Sequence, residues 1–227
     1  MQSNLQSRKI DLVFVIDGTG SMTPCLDMVK DAARTFYKKF EEKMKDMGSS
    51  IDLLRVKLIV FRDYECDSNP MDESPFYELP LDLADFESKL SSIKAIGGGD
   101  ANENGLEALH FAFNSDFIAR GLKDRQVIVL FTDTDALKLG ERSDLKNYPK
   151  NMVDETRFIS EWIMPGQTSK LNPRGKRLVI YAPNGTSYKE LSAKLPGANF
   201  IPVELSSGMA EFNFNEIIKI IAASASN

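Results

Sequence analysis

The sequence predicts a single α/β domain whose doubly wound, mostly parallel sheet is flanked by helices and has one short edge strand. Three observations favour this fold class. Strand-like and helix-like segments alternate along the chain, the strand candidates include continuous apolar runs, and 227 residues that are 42% hydrophobic suffice for one core. Because no repeat or long linker divides the chain, we predict an N-terminal tail over residues 1–10 and one domain over residues 11–227.

The strand candidates are apolar runs that stop at polar residues. Residues 12–16 read Leu-Val-Phe-Val-Ile, a continuous run typical of a strand covered on both faces. Residues 76–83 predict a short edge strand interrupted by Pro80, and the Pro- and Asp-rich residues 67–75 predict a loop. The other strand candidates lie at residues 53–62, 127–131, 178–181 and 199–203.

The helix candidates carry apolar residues three or four positions apart. The longest begins near Pro24 and stops at Gly48, where a proline and a glycine suit the two ends of a helix. Other candidates lie near residues 85–93, 106–117, 152–164, 187–194 and 211–222. In a sheet wound in this way, ligands bind beyond the carboxyl ends of the strands.

Composition and charge exclude several classes of function. A formal net charge of −5 gives no general attraction to phosphate backbones or anionic lipid, so we expect neither nucleic acid nor a membrane as partner. Two cysteines and one histidine do not have the spacing of a zinc site. The polar start of the chain lacks the apolar segment of a signal peptide, and no stretch suits a bilayer span. These features predict a cytoplasmic protein.

Three strand candidates end in an aspartate: Asp17, Asp63 and Asp133. The carboxyl ends of parallel strands meet at one edge of a sheet, where the loop over residues 97–103 adds further acidic residues. A carboxylate cluster without histidine or cysteine suits a hard cation, because hard ions prefer oxygen ligands. The sequence therefore predicts a site for Mg²⁺, with Mn²⁺ or Ca²⁺ as alternatives.

The loop after the first strand candidate reads Asp-Gly-Thr-Gly-Ser, so Asp17, Thr19 and Ser21 carry side-chain oxygens at alternate positions. The glycines between them let the backbone wrap tightly, and the three side chains can turn toward one point. Neutral hydroxyls leave more of the charge of an ion uncompensated than carboxylates would. An open coordination position would then favour an anionic oxygen from a partner.

These motifs resemble the von Willebrand factor A domains and their metal-ion-dependent adhesion site. Residues 17–21 are similar to the Asp-x-Ser-x-Ser pattern of that family, with Thr19 in place of a serine, and Asp133 in Phe-Thr-Asp matches the last ligand. Residues 97–103 resemble the Gly-Gly-Gly-Asp-x-Pro-Glu loop of intracellular members, with Asn102 in place of the proline. The resemblance implies Asp100 or Glu103 as the ligand from this loop, without deciding between them.

The same resemblance suggests a second ion. In integrin β subunits, the residue matching Glu103 serves the adhesion site, and the residue matching Asp100 serves an adjacent calcium site. A strand-end aspartate similar to Asp63 also holds that second ion. The alternative for Asp63 is a role in the turn or as the partner of an arginine.

The resemblance implies a protein-binding module and not an enzyme. Its bound cation would take an Asp or Glu side chain from a partner protein within a multi-protein bacterial system. An AAA-type ATPase, a kinase or another component of a stress or defence system is the partner class that the resemblance to intracellular members suggests.

Two alternatives come from other classes. Residues 16–21 also resemble the nucleophile loop of P-type ATPases and haloacid dehalogenase-like phosphatases, in which Asp17 would be the nucleophile of a magnesium-dependent phosphotransferase or phosphatase. Residues 99–103 only faintly resemble the metal motif of those enzymes, and more than half of the chain follows Asp100. The other alternative is a scaffold of the same fold with a vestigial metal site.

Overall fold

A computed structural model describes residues 5–98, 102–167, 169–203 and 214–226. The strands are β1 Gln6–Asp17, β2 Ser49–Phe61, β3 Met71–Glu73, β4 Tyr77–Leu79, β5 Asn102–Glu103, β6 Arg125–Phe131, β7 Asp135–Ala136, β8 Lys176–Pro183 and β9 Ala198–Val203. The helices are α1 Thr23–Asp46, α2 Leu83–Ser92, α3 Gly105–Phe113, α4 Glu155–Ile163, α5 Ser187–Lys194 and α6 Phe214–Ser226. A short 3₁₀ turn, Gly20–Met22, precedes α1.

The main sheet has the strand order β3-β2-β1-β6-β8-β9, with β4 also paired to β2. The strands from β2 to β9 along this order run parallel, and β3 and β4 are antiparallel edge pieces. The chain leaves β1 toward β2 on one side and later returns to β6 on the other side. This topological switch point lies between the carboxyl ends of β1 and β6, which is where such sheets bind ligands.

Each face of the sheet is covered by helices, which is why the central strands are apolar on both sides. One core lies under α1, α2 and α6 and includes Phe14 and Phe36. The other lies under α3, α4 and α5 and includes Phe113 and Trp162. The predicted doubly wound, mostly parallel α/β fold is therefore confirmed. Within the described ranges, no helix combines the length and apolar character that crossing a bilayer requires.

Three predictions about local structure are wrong: one strand start and two loops. The chain enters the sheet at Gln6, not at residue 11, because the polar start of β1 pairs with β2 at Ser49. The predicted loop over residues 67–75 contains β3, which pairs antiparallel with the end of β2. The predicted loop over residues 97–103 contains β5, which forms a small parallel ladder with β7.

Candidate metal centre

The first loop of the site is organised around Asp17, the fully buried last residue of β1. Its Oδ1 accepts hydrogen bonds from the backbone N–H of Thr19 at 3.0 Å and from the Thr19 hydroxyl at 2.7 Å. The Thr19 Oγ1 and Ser21 Oγ atoms lie 3.3 Å apart. The predicted arc of three side chains is therefore present, and it leads from the buried Asp17 to the exposed Ser21.

The end of β6 supplies the facing side of the site. The Thr132 hydroxyl donates a hydrogen bond to Oδ2 of Asp17 at 2.8 Å. The next residue, Asp133, is 9% exposed, and its Oδ1 is buried without a hydrogen-bond partner among the described residues. Asp133 thus presents a carboxylate oxygen that the described part of the chain does not satisfy.

The loop that precedes α3 closes a third side. Gly98 has a φ of +87°, and a Cβ added there would lie 3.3 Å from Cβ of Thr19 and 3.5 Å from Oε1 of Glu103. Gly98 therefore packs between Thr19 and the buried side chain of Glu103. Asp100, the other candidate ligand of this loop, lies outside the described residues.

Arg62 ties the loops of the site together. Its guanidinium donates hydrogen bonds to four backbone carbonyls: those of Gly18, Asn69, Lys94 and Ile96. A Cβ on Gly18 would lie 2.8 Å from Cζ of Arg62, so the glycine lets the guanidinium pack flat against the first loop. Sequence reasoning missed this role, although Arg62 stands next to the strand-end Asp63.

Burial sets the electrostatics of the centre. It raises the pKa of Asp17 to about 6, against the opposing effect of the hydrogen bonds from Thr19 and Thr132, and the charge of Asp133 raises it further. Burial also raises the pKa of the Cys25 thiol to about 12, and the carboxylates of Asp17 and Asp133 add to this shift. Both carboxylates therefore act on the same buried volume, where a positive charge would be stabilising.

The fully buried Tyr188 lies under the same edge of the sheet. Burial raises the pKa of its hydroxyl far above the usual value, and the carboxylates of Asp17, Asp135, Glu107 and Glu103 raise it further. This hydroxyl has no hydrogen-bond partner among the described residues. The sequence pattern gave no signal for Tyr188, which looks like an ordinary core residue of α5.

The donor set fits a small hard cation. Adjacent ligands of an octahedral Mg²⁺ lie about 3 Å apart, because each is about 2.1 Å from the metal. The Thr19 and Ser21 oxygens have nearly this separation, and the unsatisfied oxygen of Asp133 is of the type that such ions prefer. In the described part of the chain, no three acidic, histidine or cysteine side chains form a group able to hold an ion. A cation here would therefore depend on the hydroxyls.

Asp63 is engaged by an arginine. Arg142 donates to Oδ1 of Asp63 at 3.1 Å and to Oδ2 at 2.8 Å, and Asp63 is fully buried. Arg142 also pairs with Glu65 at 2.7 Å. This geometry matches the alternative stated for Asp63, the partner of an arginine, and we do not include Asp63 in the proposed site.

Asp135, two residues beyond Asp133, serves the start of α5. Its Oδ1 accepts hydrogen bonds from the backbone N–H and the hydroxyl of Ser187 at 2.8 Å and 2.6 Å. Its proximity to Asp133 in sequence therefore does not make it part of the candidate site.

The domain is a doubly wound α/β domain with carboxylates and hydroxyls gathered at its switch point, the place where folds of this class bind ligands. Residues 11–204 match the von Willebrand factor A domain, and the chain belongs to that family. The family often mediates protein–protein interaction or adhesion, and its members are usually not enzymes. No curated protein sequence matches the chain.

Solved structures that align with the chain include a pilus adhesin and a von Willebrand factor type A protein. The crystal structure of the pilus adhesin SpaC from Lactobacillus rhamnosus GG aligns with a TM-score of 0.54 and 12% identity, over 96% of this chain and 30% of the adhesin. A von Willebrand factor type A protein from Catenulispora acidiphila aligns with a TM-score of 0.48 and 16% identity, over 94% of this chain and 42% of that protein. The chain thus spans less than half of either protein, and the adhesin comparison supports the fold alone.

Proposed function

We propose that this domain binds a divalent cation and uses it to capture an acidic side chain of a partner protein. Mg²⁺ is the preferred ion, with Mn²⁺ or Ca²⁺ as alternatives. Thr19, Ser21 and Asp133 would hold the ion or its waters, and Asp17 would orient the Thr19 hydroxyl. Glu103, and Asp100 from the same loop, are the further candidate ligands. The bound ion would supply the positive charge that binds the carboxylate of the partner.

The observation that carries this proposal is the buried Oδ1 of Asp133, which has no hydrogen-bond partner among the described residues and belongs to a carboxylate near enough to Asp17 to raise the pKa of that residue. A buried carboxylate oxygen without a donor is costly, and a cation would offset that cost. The hydroxyls of Thr19 and Ser21 add neutral ligands, which leave net positive charge on the ion. That remaining charge favours an anionic ligand from outside the chain.

Calorimetric titration tests the ion first. We expect the wild-type chain to bind Mg²⁺ or Mn²⁺ at one site, and Asp133→Asn to weaken that binding at least about tenfold, since hydrogen bonds and contacts to a buried charge contribute about 1.5–3 kcal/mol. Asp31→Asn is the matched control, because Asp31 is an exposed aspartate on α1. Equal affinity in wild type and Asp133→Asn would exclude this site.

Partner capture tests the second half of the proposal. Wild type and Asp133→Asn are immobilised in Mg²⁺ and in EDTA, and proteins retained only by wild type in Mg²⁺ are identified. An AAA-type ATPase, a kinase or a stress- or defence-system component is the expected class. Asp→Asn and Glu→Gln substitutions on the identified partner should then abolish binding at one position. Capture that survives EDTA would contradict the metal bridge.

The family match gives no support to the phosphatase alternative, in which Asp17 would be the nucleophile. Both carboxylate oxygens of Asp17 accept hydrogen bonds from threonine hydroxyls, which suits an orienting residue. A scaffold with a vestigial site would give no heat on titration with millimolar Mg²⁺, Mn²⁺ or Ca²⁺. The same calorimetric experiment therefore separates that alternative from the proposal.

A further inference from the structure

The edge of the sheet opposite the candidate metal centre carries a cluster of cations, the basic edge. Strands β1, β6 and β8 all begin at this edge. Arg125 lies beside Ile10 and Arg177 lies beside Val127 in the strand register. Because Ile10 and Val127 belong to the core under α1 and α6, both arginines lie on that face of the sheet. The basic edge consists of Arg8, Lys9, Lys123, Arg125, Arg174, Lys176 and Arg177.

Carboxylates in the described part of the chain compensate these cations only in part, through the charge of Asp124 on Arg8 and Arg125. None of the seven forms an ion pair with a carboxylate there, whereas cations elsewhere do, such as Arg55 with Asp11. The carboxylate of Asp124 lies among them, but its two oxygens accept hydrogen bonds from backbone N–H groups. The basic edge is therefore a positive region on a chain of net charge −5.

Hydrogen bonds from Nη1 to two backbone carbonyls fix the orientation of the guanidinium in both Arg125 and Arg177. Nη1 of Arg125 donates to the carbonyls of Leu122 and Asp124, and Nη1 of Arg177 donates to those of Arg174 and Lys176. In each guanidinium the opposite edge, formed by Nε and Nη2, has no acceptor among the described residues. Nε of Arg125 is buried in that state. This edge is the fork that binds carboxylate or phosphate oxygens in pairs.

The neighbouring Arg8 shows the contrast. Its guanidinium donates to Ser49, Lys123, Gln6 and Ser226, so its donors are satisfied by the chain itself. Burial lowers the pKa of Arg125 to about 10, and the charges of Arg8 and Arg177 lower it further. An anion bound beside these guanidiniums would relieve this repulsion.

We propose that the basic edge binds a tetrahedral oxyanion, a phosphate group either free or carried on a larger ligand, in the Nε–Nη2 fork of Arg177, with the positive charge of the neighbouring Arg125 adding to the attraction. Arg177 is half-buried and Lys9, Lys123 and Arg174 are exposed, so the ligand can approach from solvent. A planar guanidinium fork suits phosphate oxygens in a geometry that a lysine cannot reproduce. The site is separate from the metal centre and needs no divalent ion.

The test uses inorganic phosphate as the probe, in EDTA, with chloride at equal ionic strength as the reference. We expect phosphate to raise Tm in a saturable way that chloride does not reproduce, since a ligand that binds only the folded state stabilises it. Arg177→Gln should weaken phosphate binding in calorimetry at least about tenfold, because charge-assisted hydrogen bonds are lost. Arg177→Lys keeps the charge but loses the fork and should weaken binding by a similar factor.

Arg34→Gln is the matched control, because the Arg34 side chain is 84% exposed on α1 and lies outside the basic edge. Phosphate that is no better than chloride, or an equal loss in Arg34→Gln and Arg177→Gln, would overturn the proposal. Tighter binding of a phosphoserine peptide or of ADP than of phosphate would identify a carried phosphate, and equal binding would identify free phosphate. The presence of EDTA makes every outcome independent of the metal-bridge proposal.

Discussion

The Thr132 hydroxyl donates a 2.8 Å hydrogen bond to Oδ2 of Asp17 and so joins the ends of β6 and β1 across the switch point. The two residues are 115 positions apart in the chain. Because Oδ1 of Asp17 accepts from Thr19, both carboxylate oxygens are held by threonine hydroxyls. This bond therefore fixes the relative position of the two loops that would hold a cation.

We expect Thr132→Val to lower the free energy of unfolding by about 1–3 kcal/mol, because a buried carboxylate oxygen then loses its donor. Thr132→Ser keeps the hydroxyl and should retain most of that stability. Urea denaturation in EDTA at neutral pH measures both variants without any contribution from a bound ion. Equal stability of the Val and Ser variants would show that this bond does not hold the two strand ends together.

Gly98→Ala should affect both stability and ion binding. Its φ of +87° disfavours any side chain, and the new Cβ would lie 3.3 Å from the Thr19 side chain, closer than an ordinary contact. Gly185→Ala is a matched control, because Gly185 has a φ of +84° and nothing within 4 Å of an added Cβ. We expect both variants to lose about 1 kcal/mol from backbone strain. Only Gly98→Ala should also weaken Mg²⁺ or Mn²⁺ binding in calorimetry.

Glu107 should give the protein a measurable pH dependence. Its side chain is fully buried, and burial raises its pKa although hydrogen bonds from Tyr148 and Gly140 oppose the shift. The folded state then keeps this proton at pH values where the unfolded chain has lost it. Stability from this group is therefore present at low pH and lost as pH rises through the raised pKa.

The measurement is the difference in unfolding free energy between wild type and Glu107→Gln. The variant should gain stability relative to wild type as pH rises from about 4 to about 7, because glutamine keeps an acceptor for Tyr148 but cannot ionise. Glu42→Gln changes an exposed glutamate on α1 and should show no such trend. A difference for Glu107→Gln that is constant with pH would mean that its pKa is not raised.

The sequence was sufficient to predict the central sheet and the meeting of Asp17 with the end of β6. Both inferences depend on local signals: continuous apolar runs for strands covered on both faces, and an aspartate one or two residues after each run. Parallel pairing then brings the carboxyl ends of β1 and β6 together whatever the intervening loops do. The hydroxyls at positions 19 and 21 follow from the same loop.

The features that the sequence did not predict depend on contacts between distant segments. β3 is a three-residue strand that exists because β2 offers its edge, and no apolar pattern marks it. The start of β1 from Gln6 is polar, so its pairing with β2 leaves no hydrophobic signal. Arg62 donates hydrogen bonds to backbone carbonyls of three loops. Every residue has a backbone carbonyl, so the sequence does not mark which residues accept these bonds.

The pairing of Asp63 with Arg142 belongs to the same group, since the two residues are 79 positions apart. The Asp63 carboxylate is fully buried, and the Arg142 side chain is 16% exposed. Arg142→Gln would leave a buried charge without its main partner, so we expect a loss of about 3 kcal/mol or more in unfolding free energy. Arg157→Gln is the control, because Arg157 forms an exposed pair with Glu161 that should contribute less than about 1 kcal/mol.

The same variant tests whether Asp63 serves a second ion. If Arg142 is the permanent partner of Asp63, calcium titration of wild type should give heat from a single site. Calcium should also stabilise Arg142→Gln no more than it stabilises wild type. A second ion would compete with the guanidinium for both oxygens of Asp63, which already accept its hydrogen bonds. Two calcium sites in wild type, one of them lost in Asp63→Asn, would therefore contradict a purely structural role for this ion pair.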